Sequence, residues 1–519
     1  MSAGAAGPAA PRNRLWVALA TVCLISSWYY GLVVAPIGLA SADRGILQDL
    51  YGVWNGSRVM LVHRISPYSV EVTAQNQAAI YGRTVAGHVE QQFAYPAFAA
   101  FPLAPLALLP FRAAQFVAFL AFSILTAISV MWWRGPQTNA LLPILLTLST
   151  YPVVVALQLR QPTLLFAALI AASTAQIRSR PVIAGLLLAL GTAKPQLALS
   201  VCVPLLFWAV ASWRERRAFV LSFGISELVL VVAATVLVPH WFSQWLTVLH
   251  SYSRYGGQPL LVTFFGAPGG TIISVLVAAA ALVICWRWRE DVLFSVSFSV
   301  AALQLIAPFQ TYNEIMLLAP ICWIGSNIVK IGAFGWIHRI LVAGVWLVLA
   351  EGFVVVAGLG VVGAFVPLVA AQFWKVPVLF AFFLPAIVFA TLLAYVIAAT
   401  RLDSPVSREN HVPSRTLVSL LTSYHAYWYD AVLLPPAFFL AGSYLRGRKL
   451  GAVEVALAFV VYAVFLLPAV SASFNEMVAG MFVGMLLLAG LQFAELLDLS
   501  HSGSVFPLNH WSRITHNLV

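Results

Sequence analysis

The sequence predicts an all-α, polytopic integral membrane protein with roughly 11 to 13 transmembrane helices. Three observations carry that prediction. Of 519 residues, 61% are hydrophobic and only 9% are charged, with a mean hydropathy of +0.92, whereas a soluble domain has about a quarter of its residues charged. Apolar runs long enough to cross the ~30 Å hydrocarbon core alternate with short basic clusters. No polar stretch is long enough to build a soluble domain, so the chain reads as one membrane-embedded unit with loops.

The net charge of +11 would suggest nucleic acid in a soluble protein. Here the positive residues sit between apolar runs, so they set orientation by the positive-inside rule and attract anionic headgroups weakly. No nucleic-acid partner is expected; membrane lipids are. The four cysteines (Cys23, Cys202, Cys285 and Cys322) lie inside apolar runs without metal-site spacing, and act as small apolar residues.

Residues 1–14 form a cytoplasmic tail holding Arg12 and Arg14. The uncharged stretch Leu15–Ala42 is too long for the apolar region of a signal peptide, and reads as an uncleaved first helix. Residues 43–92 then form a polar loop on the extracytoplasmic face. Its mixture of charges with Tyr51, Trp54, Tyr68 and Tyr81 suits short helices lying in the interface. Residues 15–350 make up a transmembrane catalytic module including this loop. Residues 351–494 supply further transmembrane helices, and residues 495–519 a cytoplasmic tail.

Placing the basic clusters from Arg178 onward inside makes the chain return outside near Lys194, His240–Arg254, Pro308–Glu314, His425–Asp430 and Asn475–Glu476. Upstream the parity fails. Four apolar runs (Phe93–Phe111, Ala113–Trp133, Gly135–Leu159 and Gln161–Ile177) would leave Arg178 outside. One of them is therefore expected to be a half-span or re-entrant piece, with Pro136, Pro152 and Pro162 as possible breaks. A faint echo links Pro308–Pro320 (PFQTYNEIMLLAP) to Tyr424–Pro436 (YHAYWYDAVLLPP).

A charge at membrane depth costs about 2.5–3.5 kcal/mol on insertion scales, which makes each one a functional hypothesis. The candidates are Lys194, Glu227, Glu314, Glu351, Lys375, Asp430, Glu454 and Glu476; most sit near run ends, where snorkelling makes them cheap. Asp49, in QDLYGVW soon after the first helix, has the chemistry of an outer-face general base. Asp43 is its rival, but the adjacent Arg44 favours a surface role. Lys194 precedes Pro195 at a break or helix start, where a lysine beside backbone N–H groups suits a phosphate. Gln310–Glu314 (QTYNE), with His240, His250, Tyr252, Arg254 and Tyr255 in the preceding loop, supplies partners for sugar hydroxyls or phosphate. Asn55-Gly56-Ser57 fits a glycosylation acceptor by chance spacing. No serine nucleophile elbow, phosphate loop or paired metal-ligand histidines occur.

Together these pieces resemble glycosyltransferase family 87, the polyprenyl-phosphate-mannose-dependent mannosyltransferases of the glycosyltransferase C superfamily. The resemblance runs over most of Leu15 to Ile321. It rests on Asp49-Leu50-Tyr51, Ser66–Ser69 (SPYS), FAYPAFAAFPLAPLALLPF at Phe93–Phe111, the run starting at Gln161, AGLLLALGTAKPQL at Ala184–Leu197, and APFQTYNEIMLLAP. The chain departs from the family in having Arg160-Gln161 in place of Gly-Gln, Tyr95-Pro96-Ala97 in place of Tyr-Pro-Pro, and Tyr312-Asn313 where histidine is frequent.

The resemblance implies a glycosyltransferase C fold in the cell membrane, with its active site on the extracytoplasmic side. It implies transfer of a hexose, mannose above all, from a polyprenyl-phosphate donor to a lipid or glycan acceptor, with inversion. Asp49 would be the base, and Lys194 with Arg254 would hold the donor phosphate. Tyr95, Gln161, His250, Tyr312, Asn313 and Glu314 would contact substrate. No metal or cofactor is implied, and a lipid donor needs no nucleotide-binding fold. The rival class is a multi-pass transporter or lipid flippase, which would show inverted repeats and broken helices.

Overall fold

A computed structural model of the chain describes residues 11–37, 49–84, 91–135, 140–252, 257–308, 310–373 and 376–402. Asp43, Arg254, Tyr255, Lys375, Asp430, Glu454, Glu476 and the Tyr424–Pro436 echo lie outside them, as does the part of the proposed C-terminal helical region (351–494) beyond residue 402. Among the described residues the chain is helical and forms no sheet; one isolated bridge pairs Pro259 with Pro308. That is the expected outcome in lipid, where a helix satisfies its own backbone.

Helix α1 (Pro11–Tyr29) runs on through a π turn at Tyr30–Val34. The loop that follows carries α2 (Asp49–Arg58) and α3 (Val70–Tyr81). Ser69 caps α3 by accepting from the Val72 N–H, and Gly82 ends it at φ 69°. A 3₁₀ turn at Ala97–Ala99 opens α4 (Ala100–Ala107), and α5 spans Phe111–Arg134. Helices α6 (Leu141–Ser149) and α7 (Tyr151–Gln158) meet at a 64° bend. Next come α8 (Thr163–Gln176), α9 (Pro181–Gly191) and α10 (Pro195–Ala211), the last two each opened by proline. Then α11 (Trp213–Leu237), α12 (Trp241–Tyr252) and α13 (Leu260–Arg287) follow, the last kinked at Gly266. Helix α14 (Val292–Ile306) leads into a 3₁₀ segment, Thr311–Leu317, and α15 (Leu318–Ser326). The rest comprises α16 (Ile328–Gly332), α17 (Trp336–Phe365), α18 (Pro367–Gln372) and α19 (Val376–Leu402).

Six of these helices contain a segment long and apolar enough to cross a membrane, or seven spans if the bent α6–α7 pair is one. The predicted total covers the whole chain, including residues beyond 402. Helices α8, α9, α10 and α14 are shorter. At 1.5 Å per residue the 14 residues of α8 reach about 21 Å, less than the hydrocarbon core.

One of the four runs upstream of Arg178 doubles back on a single loop. The helical part of the run Phe93–Phe111, Ala97–Ala107, is shorter than a full crossing, and both ends of the run contact the same loop. At one end Tyr68 donates to the Tyr95 carbonyl at 2.7 Å. At the other, Trp54 Nε1 donates to Leu109 O at 3.1 Å and Arg58 to Ala107 O at 3.0 Å. Those donors satisfy carbonyls that the end of α4 leaves open. Tyr51 and Trp54 also pack on Phe111, at centroid distances of 4.8 and 5.1 Å.

Arg178 and Arg216 then gather on Glu290, the first through its backbone carbonyl and the second as a bidentate ion pair at 3.0 and 2.7 Å. Glu290 is 59% exposed, so this pair adds little stability. Asn55 is 8% exposed and its amide donates to Gln75 and Asn76, so the Asn55-Gly56-Ser57 triplet is a packing feature.

Helices α9 and α11 cross closely because Gly185 has no side chain. A Cβ there would stand 2.7 Å from both Phe219 O and Phe223 N, backbone atoms that cannot swing aside. Small residues permit this approach in membranes. Gly185→Val is expected to destabilise the protein by about 1–3 kcal/mol, read as a lower melting temperature in detergent; an unchanged melting curve would contradict the close crossing.

Candidate active site

Four elements converge at the start of α2. Asp49 is its first residue and half-buried, and the Leu50 N–H reaches the Leu159 carbonyl after α7 at 3.4 Å. Helix α2 is held from behind by Asn55 on Asn76, whose own amide donates to Gln91 O at 2.9 Å. The Asp49 carboxylate therefore sits on a braced helix end.

Gln161 is the junction. Its Nε2 donates to Asp49 Oδ2 at 2.5 Å, and its Oε1 accepts from the Tyr95 hydroxyl at 3.2 Å and from Thr163 at 3.3 Å. Lys194 Nζ donates to Thr163 Oγ1 and stands 4.6 Å from the centroid of the Tyr312 ring, a cation–π contact suited to a desolvated ammonium. Asp49 and Lys194, 145 positions apart in the chain by their numbers, thus belong to one polar network. Lys194 is 5% exposed and occupies the turn between α9 and α10, outside every helix long enough to cross. Thr192 anchors that turn by donating to Glu227 on α11 at 2.6 Å.

The electrostatics follow from burial. Desolvation raises the Asp49 carboxyl above its ordinary value, opposed by the Gln161 hydrogen bond and the Lys194 charge. Desolvation pushes the Lys194 ammonium down to about 7, opposed by Asp49. The pair is thus an acid made more basic and a cation made more acidic, a pattern of opposed shifts that clusters at functional sites.

Asn313 and Glu314 are 6% and 3% exposed. Asn313 Oδ1 and both Glu314 carboxylate oxygens have no hydrogen-bond partner among the described residues. Buried acceptors of this kind ordinarily find a donor. Gln304 Nε2 holds the Asn313 carbonyl at 3.1 Å. His250 is exposed in the last turn of α12, at the surface, while its helix packs on the loop through Trp245 to Ala94 O and Ser251 to Gln92. Arg254 lies outside the described residues. Sequence reasoning missed Thr163, the link between Gln161 and Lys194; its signal was a hydroxyl directly after Gln161-Pro162.

An apolar cavity of about 460 Å³ adjoins this turn, lined among others by Pro96, Thr192, Pro195, Glu227, Trp241 and Trp245. Helices long enough to cross a bilayer, a buried acid–ammonium network and an apolar cavity beside it define a polytopic membrane enzyme acting where lipid and polar chemistry meet. Residues 93–308 match the model of glycosyltransferase family 87, the family the sequence resembles. The chain carries a family 87 region over those residues and is a glycosyltransferase. The match includes Tyr95, Gln161, Thr163 and Lys194; Asp49 and Thr311–Leu317 flank it. No curated protein matches the chain.

Proposed function

We propose that the protein moves a hexose, mannose in the first instance, from a polyprenyl-phosphate donor to a lipid-linked or cell-envelope acceptor at the extracytoplasmic face of the cell membrane, with inversion. The observation that carries this reading is the network Asp49–Gln161–Thr163–Lys194, which holds a carboxylate and an ammonium around one site.

In this mechanism Asp49 takes the proton from an acceptor hydroxyl. That oxygen attacks the anomeric carbon from the face opposite the phosphate, and a new glycosidic bond forms. The bond from the anomeric carbon to the phosphate oxygen breaks, and its electron pair leaves on polyprenyl phosphate. Lys194 faces that growing charge. Such preorganised charge is often the largest catalytic contribution. The unpartnered Glu314 and Asn313 oxygens accept from sugar hydroxyls, and Tyr312 carries Lys194 on its ring face. The apolar cavity beside Pro195 seats the first isoprene units. The domain limits proposed from the sequence place this machinery within residues 15–350.

The test is incubation of membranes containing the protein with radiolabelled polyprenyl-phosphate mannose. Label should pass to a lipid or glycan product. If donor is flipped across vesicles but never consumed, the transport reading replaces this one.

A further inference from the structure

The proposed reaction leaves Glu227 without a task. It stands on α11, a helix long and apolar enough to cross the membrane, whose apolar stretch is only 6% buried inside the protein. A carboxylate on such a helix is costly to insert. Among the described residues it has no ion-pair partner. Its Oε1 accepts from Thr192 at 2.6 Å, but the Thr192 hydroxyl also reaches Ala189 O at 2.6 Å, the back-bond by which a hydroxyl satisfies itself within its own helix. Satisfying Thr192 therefore does not account for the glutamate.

Register accounts for it. Helices α9 and α11 lie side by side and run in the same direction. Ser222 donates to Val182 O at 2.7 Å, and Gly185 admits the backbone of Phe219 and Phe223. Phe219, Phe223 and Glu227 follow one another at four-residue steps on one face of α11, and Thr192 lies two turns beyond Gly185. The close crossing thus brings Glu227 level with the turn that carries Lys194. That turn is weakly tied by its own backbone. The Ala193 and Lys194 N–H groups each reach back only three residues, at 3.4 and 3.2 Å, the long end of the hydrogen-bond range. Lys194 is not helical, at φ −120° and ψ 85°, and Pro195 offers no N–H. On one side the turn rests on α8, where a Cβ on Gly191 would stand 2.8 Å from Ile170. The first residue of α8 is Thr163, the acceptor of the Lys194 ammonium. Glu227 holds the other side.

We infer that Glu227 is a positioning residue for the proposed reaction: by gripping Thr192 it fixes the turn so that the Lys194 ammonium stays over Tyr312 and faces the donor phosphate. This deepens the transferase reading and rests on it. The charge that bears on Lys194 is that of Asp49, so Glu227 acts through the turn and not through its field.

Steady-state transfer from labelled polyprenyl-phosphate mannose, together with hydrogen exchange of the purified full-length protein, tests it. Glu227→Leu removes the acceptor and suits lipid. It should lower kcat about 10- to 100-fold, the cost of a slightly misplaced group. Glu227→Gln keeps a carbonyl oxygen for Thr192 and should recover most of that loss. In Glu227→Leu the alkaline limb of kcat/KM should move upward from about 7, because an ammonium released from burial is better solvated. A glutamate that merely stabilised the fold would change the amount of active protein and leave that limb in place. In a Lys194→Met background, Glu227→Leu should cost about twofold at most, since the two act as one unit. Exchange of the Ala193 and Lys194 amides should quicken in Glu227→Leu and not in Glu227→Gln. Wild-type turnover in Glu227→Leu, equal losses in the two Glu227 variants, an unmoved alkaline limb, or a full further loss without Lys194 would overturn the proposal. If the wild type consumes no donor, the transferase reading falls by itself. Exchange that quickens in Glu227→Leu alone would then leave the grip on the turn standing, and exchange that stays the same would overturn that too.

Discussion

Asp49→Asn is expected to lower the turnover number for sugar transfer by about 10²–10⁴-fold, the range for loss of a positioned general base, while the donor still binds. The substitution keeps the shape. Gln161 Nε2, now 2.5 Å from Asp49 Oδ2, can donate to the asparagine carbonyl oxygen, so the Gln161–Thr163–Lys194 chain survives. What is lost is the proton acceptor. The wild-type pH profile carries the same information. Burial raises the Asp49 carboxyl above its ordinary value of 3.8, and the active form is the carboxylate. Activity therefore falls as pH drops through that raised value, on an acid limb displaced upward from the usual carboxylate range. Steady-state kinetics with labelled donor measure both. Transfer at wild-type rate by the asparagine variant would remove Asp49 from the chemistry.

Lys194→Met is expected to cost about 10²–10³-fold in turnover, the loss typical of one preorganised charge donor. Methionine fills the space over Tyr312 without the ammonium, so packing is kept. The charged form of Lys194 is the active one, and burial has pushed it down to about 7. In the free enzyme the cation is lost as pH rises through about 7, so kcat/KM should fall on that alkaline side. In kcat the limb should lie higher, because a bound phosphate favours the ammonium. Lys194→Arg, which stays charged at any accessible pH, should flatten the alkaline limb even where its turnover is reduced. An alkaline limb unmoved in that variant would mean another group titrates.

These two residues were legible in the sequence for one reason. A lone lysine before proline between apolar runs, and a carboxylate just past the first crossing, both stand out against a lipid background that penalises charge. Glu314 stood out likewise. The connection between them did not. Gln161 and Thr163 are ordinary polar residues at a helix start, and nothing in their spacing to Asp49, 112 positions away, signals contact. Glu227 read only as one of several charges near run ends. Its hold on Thr192 emerges once α9 and α11 stand side by side.

The same division runs through the fold. Composition and the alternation of apolar runs with basic clusters were enough to specify helices in a membrane, because a lipid-buried backbone has few other ways to satisfy its polar groups. They also led to the expectation that one of four runs is a half-span or re-entrant piece. The contacts that fold the run Phe93–Phe111 back on the loop, Arg58 and Trp54 donating to carbonyls at the end of α4, come from more than forty residues upstream and leave no mark on hydropathy. Hydropathy is a property of each segment alone. A site is a property of segments that meet, and only packing brings together a carboxylate, an amide and an ammonium from three parts of one chain.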